Sequence, residues 1–327
     1  MAARGLAGLP EGALRRGGDG AVELVAPGAG LTRLPEAVAG LTGLTRIDLD
    51  HNALTVLPPF VGALPRLRAL LLYGNRLRDV PPELGGARAL TDLSLGANAL
   101  ERLPARLWEL RGLRTLNLAQ NALTELPPAV ARLSRLRMLD LGHNRLGALP
   151  EAVGGLTGLS GYLYLSDNGL AALPRSIGRL ARLDYLNATD NRLRELPETI
   201  GDMAALRELR VYGNRLERLP ASLGRLGRLR ELHAAGNRLR TLPESVGNLR
   251  GLRLLDLRNN PLDHLPAAVG RLTDLRHLDL RATRLRALPA TLATLPRLEK
   301  LDLRWTKLES EPPWLEGLRR RGCVVLL

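Results

Sequence analysis

The chain has 327 residues, a formal net charge of +14, one cysteine and 3% aromatic residues. One cysteine excludes a framework of internal disulfides, and the lack of any long apolar run excludes a membrane-spanning helix. A strongly basic chain attracts nucleic acid and anionic surfaces non-specifically, so the placement of the arginines decides whether this charge has a function.

Residues 1–30 predict an N-terminal cap with a degenerate first repeat. Residues 1–20 are rich in glycine and arginine and predict a loose start or a short capping helix. Val22, Leu24 and Ala26 are spaced two apart, which is the period of a strand, so we expect the first strand there.

Residues 31–310 predict an array of about twelve 23-residue repeats, of which residues 113–135 (LRTLNLAQNALTELPPAVARLSR) are typical. We number each repeat from its first leucine. Positions 3 to 7 alternate polar and apolar residues and predict a strand. The Leu-Pro step at positions 14 and 15 ends the strand, because proline lacks an amide hydrogen and restricts the residue before it. The chain then returns through a loop or short helical turn, and only stacking on neighbouring repeats can bury the leucines.

The ninth position of each repeat is a polar residue that we expect to point inward and bond the backbone of adjacent turns. The intervals are all 23 residues except the one of 24 between the fifth and sixth members. Two threonines at the end of the series should bond less fully. The column is Asn52, Asn75, Asn98, Asn121, Asn144, Asn168, Asn191, Asn214, Asn237, Asn260, Thr283 and Thr306.

The pattern LxxLxLxxNxL followed by LPxxh resembles the leucine-rich repeat proteins. The 23-residue period with its Leu-Pro step is similar to the Ras-group intracellular subclass, which includes Scribble and Erbin. The resemblance covers nearly the whole chain. It implies an α/β solenoid of horseshoe form, with a concave parallel sheet of thirteen or fourteen strands and a convex side of loops and short helices. It also implies protein binding, in some members in signalling through small GTPases.

The one extra residue lies between Leu159 and Leu163, in the run Ser160, Gly161 and Tyr162. It is either a tolerated loop insertion, which we favour, or a bulge that re-aims Tyr162, since bulges often lie beside binding sites.

Residues 311–327 predict a C-terminal cap that covers the last leucine layer. Pro312 and Pro313 precede a short helix, and we expect Trp314 to cover the open end of the core. In the repeat register, Val324 and Leu326 should occupy the inward positions of a terminal strand.

The exposed positions 3, 5, 7 and 8 of the repeats should form the concave face. All five tyrosines and four of the five histidines fall there. Tyrosine favours strands, but it is also enriched at the energetic centres of protein interfaces, and four of the five cluster in three successive repeats. The predicted partner-binding residues are Tyr73, Tyr162, Tyr164, Tyr185, Asn187, Arg210, Tyr212, His233, Arg258, Arg281, Arg304 and Trp305.

Two charged columns share that face near the C-terminus. Asp256, Asp279 and Asp302 stand at position 5, with an arginine two residues after each. We expect aspartates and arginines to neutralise one another, which weakens binding of nucleic acid. The other arginines form two rims that could steer an acidic partner.

No motif for catalysis, phosphate binding or metal binding is present, and the histidines lie in different repeats. We therefore expect no enzyme activity, metal or cofactor. The first twenty residues contain no apolar core of secretory length, and cysteine-rich caps are missing, so we expect a cytoplasmic location. The sequence predicts a monomeric, non-catalytic protein-binding scaffold. The alternative is electrostatic binding of nucleic acid or an anionic surface through the arginine rims.

Overall fold

A computed structural model describes residues 8–17 and 21–327. The described chain divides into two compact units, one comprising the residues up to Leu146 with Gly155–Leu159, the other comprising Gly147–Gly154 and Ser160–Leu327.

The first unit contains seven strands, each paired with the strands next to it in sequence. The first two are antiparallel and every later pairing within the unit is parallel. The strands are β1 Leu14–Arg16, β2 Val22–Val25, β3 Leu44–Asp48, β4 Ala69–Leu71, β5 Asp92–Ser94, β6 Thr115–Asn117 and β7 Met138–Asp140.

The second unit contains eight strands, and all of its strand pairings are parallel. Like residues of successive repeats stand opposite one another, as in Leu209↔Leu232 and Leu232↔Leu255. The strands are β8 Tyr162–Tyr164, β9 Tyr185–Asn187, β10 Glu208–Arg210, β11 Glu231–His233, β12 Leu254–Asp256, β13 His277–Asp279, β14 Lys300–Asp302 and β15 Val324–Leu326.

Within the repeat array, each return path contains a five-residue 3-10 helix. The helix begins after the proline at repeat position 15 and buries an aliphatic residue at position 18. Pro127, for example, is extended, Val130 is buried, and the Leu133 amide closes the helix on the Val130 carbonyl. The 3-10 helices are Glu36–Gly40, Pro59–Ala63, Pro82–Gly86, Ala105–Glu109, Pro128–Arg132, Glu151–Gly155, Arg175–Arg179, Glu198–Asp202, Ala221–Arg225, Glu244–Asn248, Ala267–Arg271 and Ala290–Thr294.

The core is a stack of leucine layers, as the sequence predicts. Leu209, Leu232 and Leu255 at position 4 are fully buried, and so are Leu216 and Leu239 at position 11. The repeat architecture of strands and short helical turns is therefore confirmed. Among the described residues, none of the helices has the length and apolar character needed to cross a membrane.

The inward asparagine column is confirmed, and its bonding is regular. Asn214 donates to the carbonyls of Val211 in its own turn and Ala188 in the preceding one, and it accepts from the Leu193 amide. Among the described residues, the Thr283 side chain donates only to the Leu280 carbonyl of its own turn, which agrees with the weaker bonding expected of threonine.

Position 8 belongs to a turn and not to the strand, because each strand of the array ends by position 5. His51, His143 and Trp305 have φ of 56°, 55° and 60° at this position. Gly74 and Gly213 occupy the equivalent left-handed position in other repeats. The turn therefore requires a left-handed backbone conformation, which residues other than glycine, asparagine and aspartate rarely adopt.

The N-terminal expectation of a loose start or capping helix is wrong for its central part. Leu14–Arg16 forms a strand that pairs antiparallel with the expected strand at Val22–Val25. This extra strand brings the described total to fifteen, one more than predicted. Residues 1–7 and 18–20 lie outside the described residues.

At the C-terminal end, the helix is confirmed but the strand register is wrong by one residue. Leu315–Arg320 is helical, and Leu315 and Leu318 are buried, whereas Trp314 is half-buried. Val325 stands opposite the inward Leu301, while Val324 stands opposite Lys300 and is 54% exposed. The helix sets where the last strand begins, so the 23-residue period no longer applies.

Candidate functional site

Three tyrosine rings lie in consecutive contact on the exposed side of β8 and β9. The Tyr162 and Tyr164 ring centroids are 4.8 Å apart, and those of Tyr164 and Tyr185 are 5.1 Å apart. The strand register explains this contact, because Tyr162 stands opposite Tyr185 and Tyr164 opposite Asn187. We call Tyr162, Tyr164, Tyr185 and Arg210 the tyrosine patch.

Arg210 extends the patch across β10. Its guanidinium carbon lies 5.7 Å from the Tyr185 ring centroid, within the range of a cation–π contact. The same guanidinium donates a hydrogen bond to Glu208. Burial raises the pKa of the Tyr185 hydroxyl above its ordinary value, and the positive charge of Arg210 opposes this only in part. The hydroxyl therefore stays neutral and available for hydrogen bonding at physiological pH.

The register also bears on the extra residue near Ser160. From Tyr162 onward, β8 pairs with β9 in the ordinary repeat register. Tyr162 therefore occupies the usual position 3, which supports the loop interpretation over a bulge that re-aims its side chain.

The other predicted residues of the second unit lie around this patch in different states. Asn187 is buried, and its side-chain oxygen accepts the Thr189 amide. Tyr212 is half-buried and close enough to Arg210 to interact with its charge. His233 is half-buried and lies beside two carboxylates, Glu231 at 2.9 Å and Glu208 at 3.9 Å.

The charged columns near the C-terminus neutralise one another as predicted. Arg281 lies 2.6 Å from Asp279 and 3.5 Å from Asp302, and Arg304 lies 2.8 Å from Asp302. Arg258 lies 3.4 Å from Asp256. Binding of phosphate at these arginines would therefore have to displace carboxylates.

The two terminal aspartates of these columns have opposite pKa shifts. Burial raises the pKa of Asp256, and the charge of Arg258 opposes it only in part. Burial also acts to raise the pKa of Asp302, but hydrogen bonds and charge from Arg304, with the charge of Arg281, outweigh it and lower that pKa. The side chain of Asp302 is 1% exposed, so its ionised form depends on those arginines.

Two predicted aromatic residues lie away from the tyrosine patch in sequence and in contacts. Tyr73, in the first unit, makes an edge-to-face contact with His51 at 5.4 Å between ring centroids. Trp305 is 71% exposed, and the Arg304 guanidinium carbon lies 5.6 Å from its ring centroid. Within the part of the chain that the structure describes, neither residue makes a ring contact with the tyrosine patch.

A second feature, which the sequence analysis did not locate, is an open groove of about 1050 Å³ on one rim of the second unit. Five arginines and two glutamates contribute to its lining. The charged lining residues are Arg194, Arg218, Arg238, Arg240, Arg284, Glu195 and Glu217.

Sequence reasoning also missed a group of three potential metal ligands, Glu208, Glu231 and His233, whose donor atoms all lie within 4.8 Å of one another. The histidines lie in different repeats, which argued against a metal cluster, but this reasoning left out carboxylates on adjacent strands. The sequence did contain a sign of this group, because two glutamates 23 residues apart occupy position 3 and must therefore lie on adjacent strands.

The chain's cysteine is not arranged as a nucleophile. Cys323 is buried, and burial raises the pKa of its thiol, which disfavours the reactive thiolate. Packing in the C-terminal element accounts for it.

Stacked parallel strands, a buried asparagine column and a Leu-Pro step before each 3-10 helix together define a leucine-rich repeat solenoid. A leucine rich repeat family model matches residues 65–123, 88–146 and 111–170, and a model of a leucine-rich repeat region matches residues 221–320. The chain belongs to the leucine-rich repeat family, whose members are generally non-enzymatic modules for protein–protein interaction.

Solved structures agree with this assignment. A leucine-rich repeat protein of Leptospira interrogans is 32% identical with a TM-score of 0.76, and the match covers 91% of this chain and 82% of that one. An internalin of Listeria monocytogenes shares the fold at 21% identity and a TM-score of 0.81, over 93% of this chain and 86% of that one. No curated protein sequence matches the chain.

A further similar structure is a plant peptide hormone receptor, RGFR1, in complex with RGF2. It is 25% identical with a TM-score of 0.73, and the match covers 96% of this chain but 59% of the receptor chain.

Proposed function

We propose that this protein is a non-catalytic protein-binding module and that its partner docks on the tyrosine patch. The observation that carries this proposal is the run of three contacting tyrosine rings with a guanidinium against the last of them. Structural packing alone does not require this run, because the leucine layers on the other side of the sheet already form the core.

The patch has the physical properties of an interface centre. Tyrosine rings offer a large apolar area with few rotatable bonds, so little conformational entropy is lost on binding. Their mutual contacts hold them in place before the partner arrives, and their hydroxyls satisfy polar groups at the edge. Arg210 is already hydrogen-bonded to Glu208 through Nε, but its remaining N–H donors can pair with a carboxylate of the partner.

The partner we propose is a protein surface or peptide with an exposed acidic group. RGFR1 was solved with RGF2, which supports a ligand-binding role for this kind of fold. The 23-residue Leu-Pro repeat further supports the Ras-group subclass, and hence a signalling role in which a small GTPase is one candidate partner. The single buried cysteine, which forms no disulfide, supports a location in the reducing cytoplasm and a monomeric state without covalent links.

Electrostatic binding of nucleic acid or an anionic surface is the second candidate, because five arginines line the rim groove. Its support is weaker, since several arginines beside or in this groove are paired. Arg218 lies 3.2 Å from Glu195, and Arg240 lies 3.6 Å from Asp263.

The test compares baits that differ by one side chain. Wild type, Tyr164→Ala, Tyr185→Ala and Tyr73→Ala are used in parallel to capture proteins from the native lysate, followed by quantitative mass spectrometry. The partner should be retained by wild type and Tyr73→Ala and lost by both patch variants. With that partner purified, each patch variant should weaken binding by about 2 kcal/mol or more, roughly 30-fold.

Tyr73→Ala is the matched control, because it removes the same ring from a contact outside the patch. Both patch variants should remain folded, since a lost aromatic contact costs only about 0.5–1.5 kcal/mol. The groove charges are tested with Arg238→Glu and Arg284→Glu, which should alter mainly the association rate and salt dependence. Binding that is lost in the groove variants and retained in the patch variants would establish the electrostatic candidate instead.

A further inference from the structure

Two carboxylates and one imidazole converge on the exposed side of β10 and β11. Glu208 and Glu231 stand opposite each other at position 3, and His233 follows two residues after Glu231 on the same face. We propose that Glu208, Glu231 and His233 form a site for a divalent transition-metal ion and that Zn²⁺ is the ion it fits best. The site adjoins the tyrosine patch, because Arg210 donates to Glu208, but none of its three ligands belongs to the patch.

The distances between donor atoms suit such an ion. His233 Nε2 lies 2.9 Å from Glu231 Oε2 and 3.9 Å from Glu208 Oε1. Zinc bonds to nitrogen and oxygen are about 2.0–2.2 Å, so tetrahedral donors lie roughly 3.3–3.6 Å apart. The two observed distances bracket that range, and small rotations of the glutamate side chains reach it.

The donor set selects among metals by its chemistry. One imidazole nitrogen with two carboxylate oxygens suits zinc, whereas calcium and magnesium prefer ligand sets made entirely of oxygen. No thiolate is present to favour copper(I). Three protein ligands also leave the fourth tetrahedral position for water or for a ligand from outside the chain.

The surroundings hold the ligands in place and balance the charge. Two carboxylates supply two negative charges to the ion, and their side chains are 23% and 40% exposed, so water screens them only in part. Arg210, which stands opposite His233, donates a hydrogen bond to Glu208 Oε1, the same oxygen that faces His233. A carboxylate has four lone-pair sites, so it can accept the guanidinium and a metal together, and such outer partners commonly orient metal ligands.

The alternative is that His233 and Glu231 form a hydrogen-bonded pair and bind no metal. A second histidine–glutamate pair in the chain allows a comparison, because His277 Nε2 lies 3.7 Å from Glu299 Oε2. Among the described residues, that pair has no third ligand within reach. His277→Ala is therefore the matched control for His233→Ala.

The experiment uses the untagged full chain, freed of metal with a chelator and titrated with ZnCl₂ in a calorimeter. CoCl₂ replaces zinc in a parallel absorption titration, because tetrahedral cobalt reports its geometry in the visible spectrum. We expect one ion per chain. His233→Ala, Glu231→Gln and Glu208→Gln should each weaken zinc binding about 100-fold or more, since even outer partners contribute 10–100-fold.

The controls separate this site from adventitious binding and from the tyrosine patch. His277→Ala and Tyr164→Ala should bind zinc like the wild type. Equal zinc binding by wild type and His233→Ala would overturn the proposal, and so would an equal loss in His277→Ala. The glutamine variants keep the side-chain volume, so circular dichroism in chelator should show them folded even if His233→Ala is not. If Tyr164→Ala binds both zinc and the partner like the wild type, the proposed function is contradicted and the metal site is not.

Discussion

Replacing Asn214 with alanine tests the buried asparagine column at a single residue. Asn214 is 7% exposed, and its side chain makes bonds to two successive turns of the second unit. It accepts the Leu193 amide at 3.0 Å and donates to the carbonyls of Ala188 at 2.9 Å, Val211 at 3.1 Å and Tyr212 at 3.2 Å. Alanine removes all of these bonds without adding volume.

The loss of stability in Asn214→Ala depends on which of these backbone groups still have another hydrogen-bond partner. The Ala188 carbonyl still accepts from Asn191, the Val211 carbonyl from Asn237, and the Tyr212 carbonyl from the Asp190 amide. Only the Leu193 amide loses its acceptor, and a buried unpaired donor costs about 1–3 kcal/mol. The bonds made by the two amide hydrogens of Asn214 add about 0.5 kcal/mol each, at the low end for a net hydrogen bond. We therefore expect Asn214→Ala to lower the free energy of unfolding by about 2–4 kcal/mol.

Residue-level hydrogen exchange is the suitable assay, because long repeat arrays do not unfold in two states. Protection of the Leu193 amide should fall roughly 30- to 700-fold, since 1.4 kcal/mol corresponds to a factor of ten. The control is Thr283→Ala, which removes one bond, to the Leu280 carbonyl at 2.8 Å, and should cost about 1 kcal/mol. If Asn214→Ala lowered local protection no more than Thr283→Ala, bonding between turns would not be what holds the repeats together.

Two further predictions concern the charged columns and the C-terminal element. Asp302→Asn should destabilise the protein at pH 7, and the effect should disappear as the pH falls through the lowered pKa of Asp302, because the wild-type carboxylate then becomes neutral too. Asp256→Asn should be neutral or stabilising at pH 7, and its difference from wild type should shrink in acid below the raised pKa of Asp256. Urea unfolding of both variants from pH 3 to 7 checks the opposite signs, and parallel curves would contradict them. Deleting residues 314–327 removes the buried Leu315 and Leu318, whose burial contributes about 1.5–3 kcal/mol each. The melting temperature and the solubility should therefore fall. An unchanged melting temperature would show that this segment covers no part of the core.

The repeat pattern alone was sufficient to predict the strands, a return path through a loop or short helical turn, and the inward asparagines. Each repeat packs on its sequence neighbours, so a residue and its counterpart 23 positions later are adjacent in space. That rule places Tyr162 beside Tyr185 and Asp279 beside Asp302 without any knowledge of the tertiary structure. The predicted binding residues remain a prediction, although the rule correctly places several of them on one face.

The ends of the chain lie beyond the reach of that rule. The antiparallel strand Leu14–Arg16 has no counterpart in the repeats, and its alternation is too short to be recognised. The last strand is set by the helix before it, so Val325 takes the inward position that the period assigns to Val324 and Leu326. Where the repeat ends, local packing decides the register.

Side-chain pairing was decided by the tertiary structure as well. Arg281 stands between aspartates of two strands and contacts both, while His233 turns toward Glu231 and Glu208 and so creates the three-donor group. The period fixes the spacing of backbones, but long side chains reach several partners at similar distances. Their choice depends on rotamers, burial and neighbouring charge, which exist only once the strands are stacked.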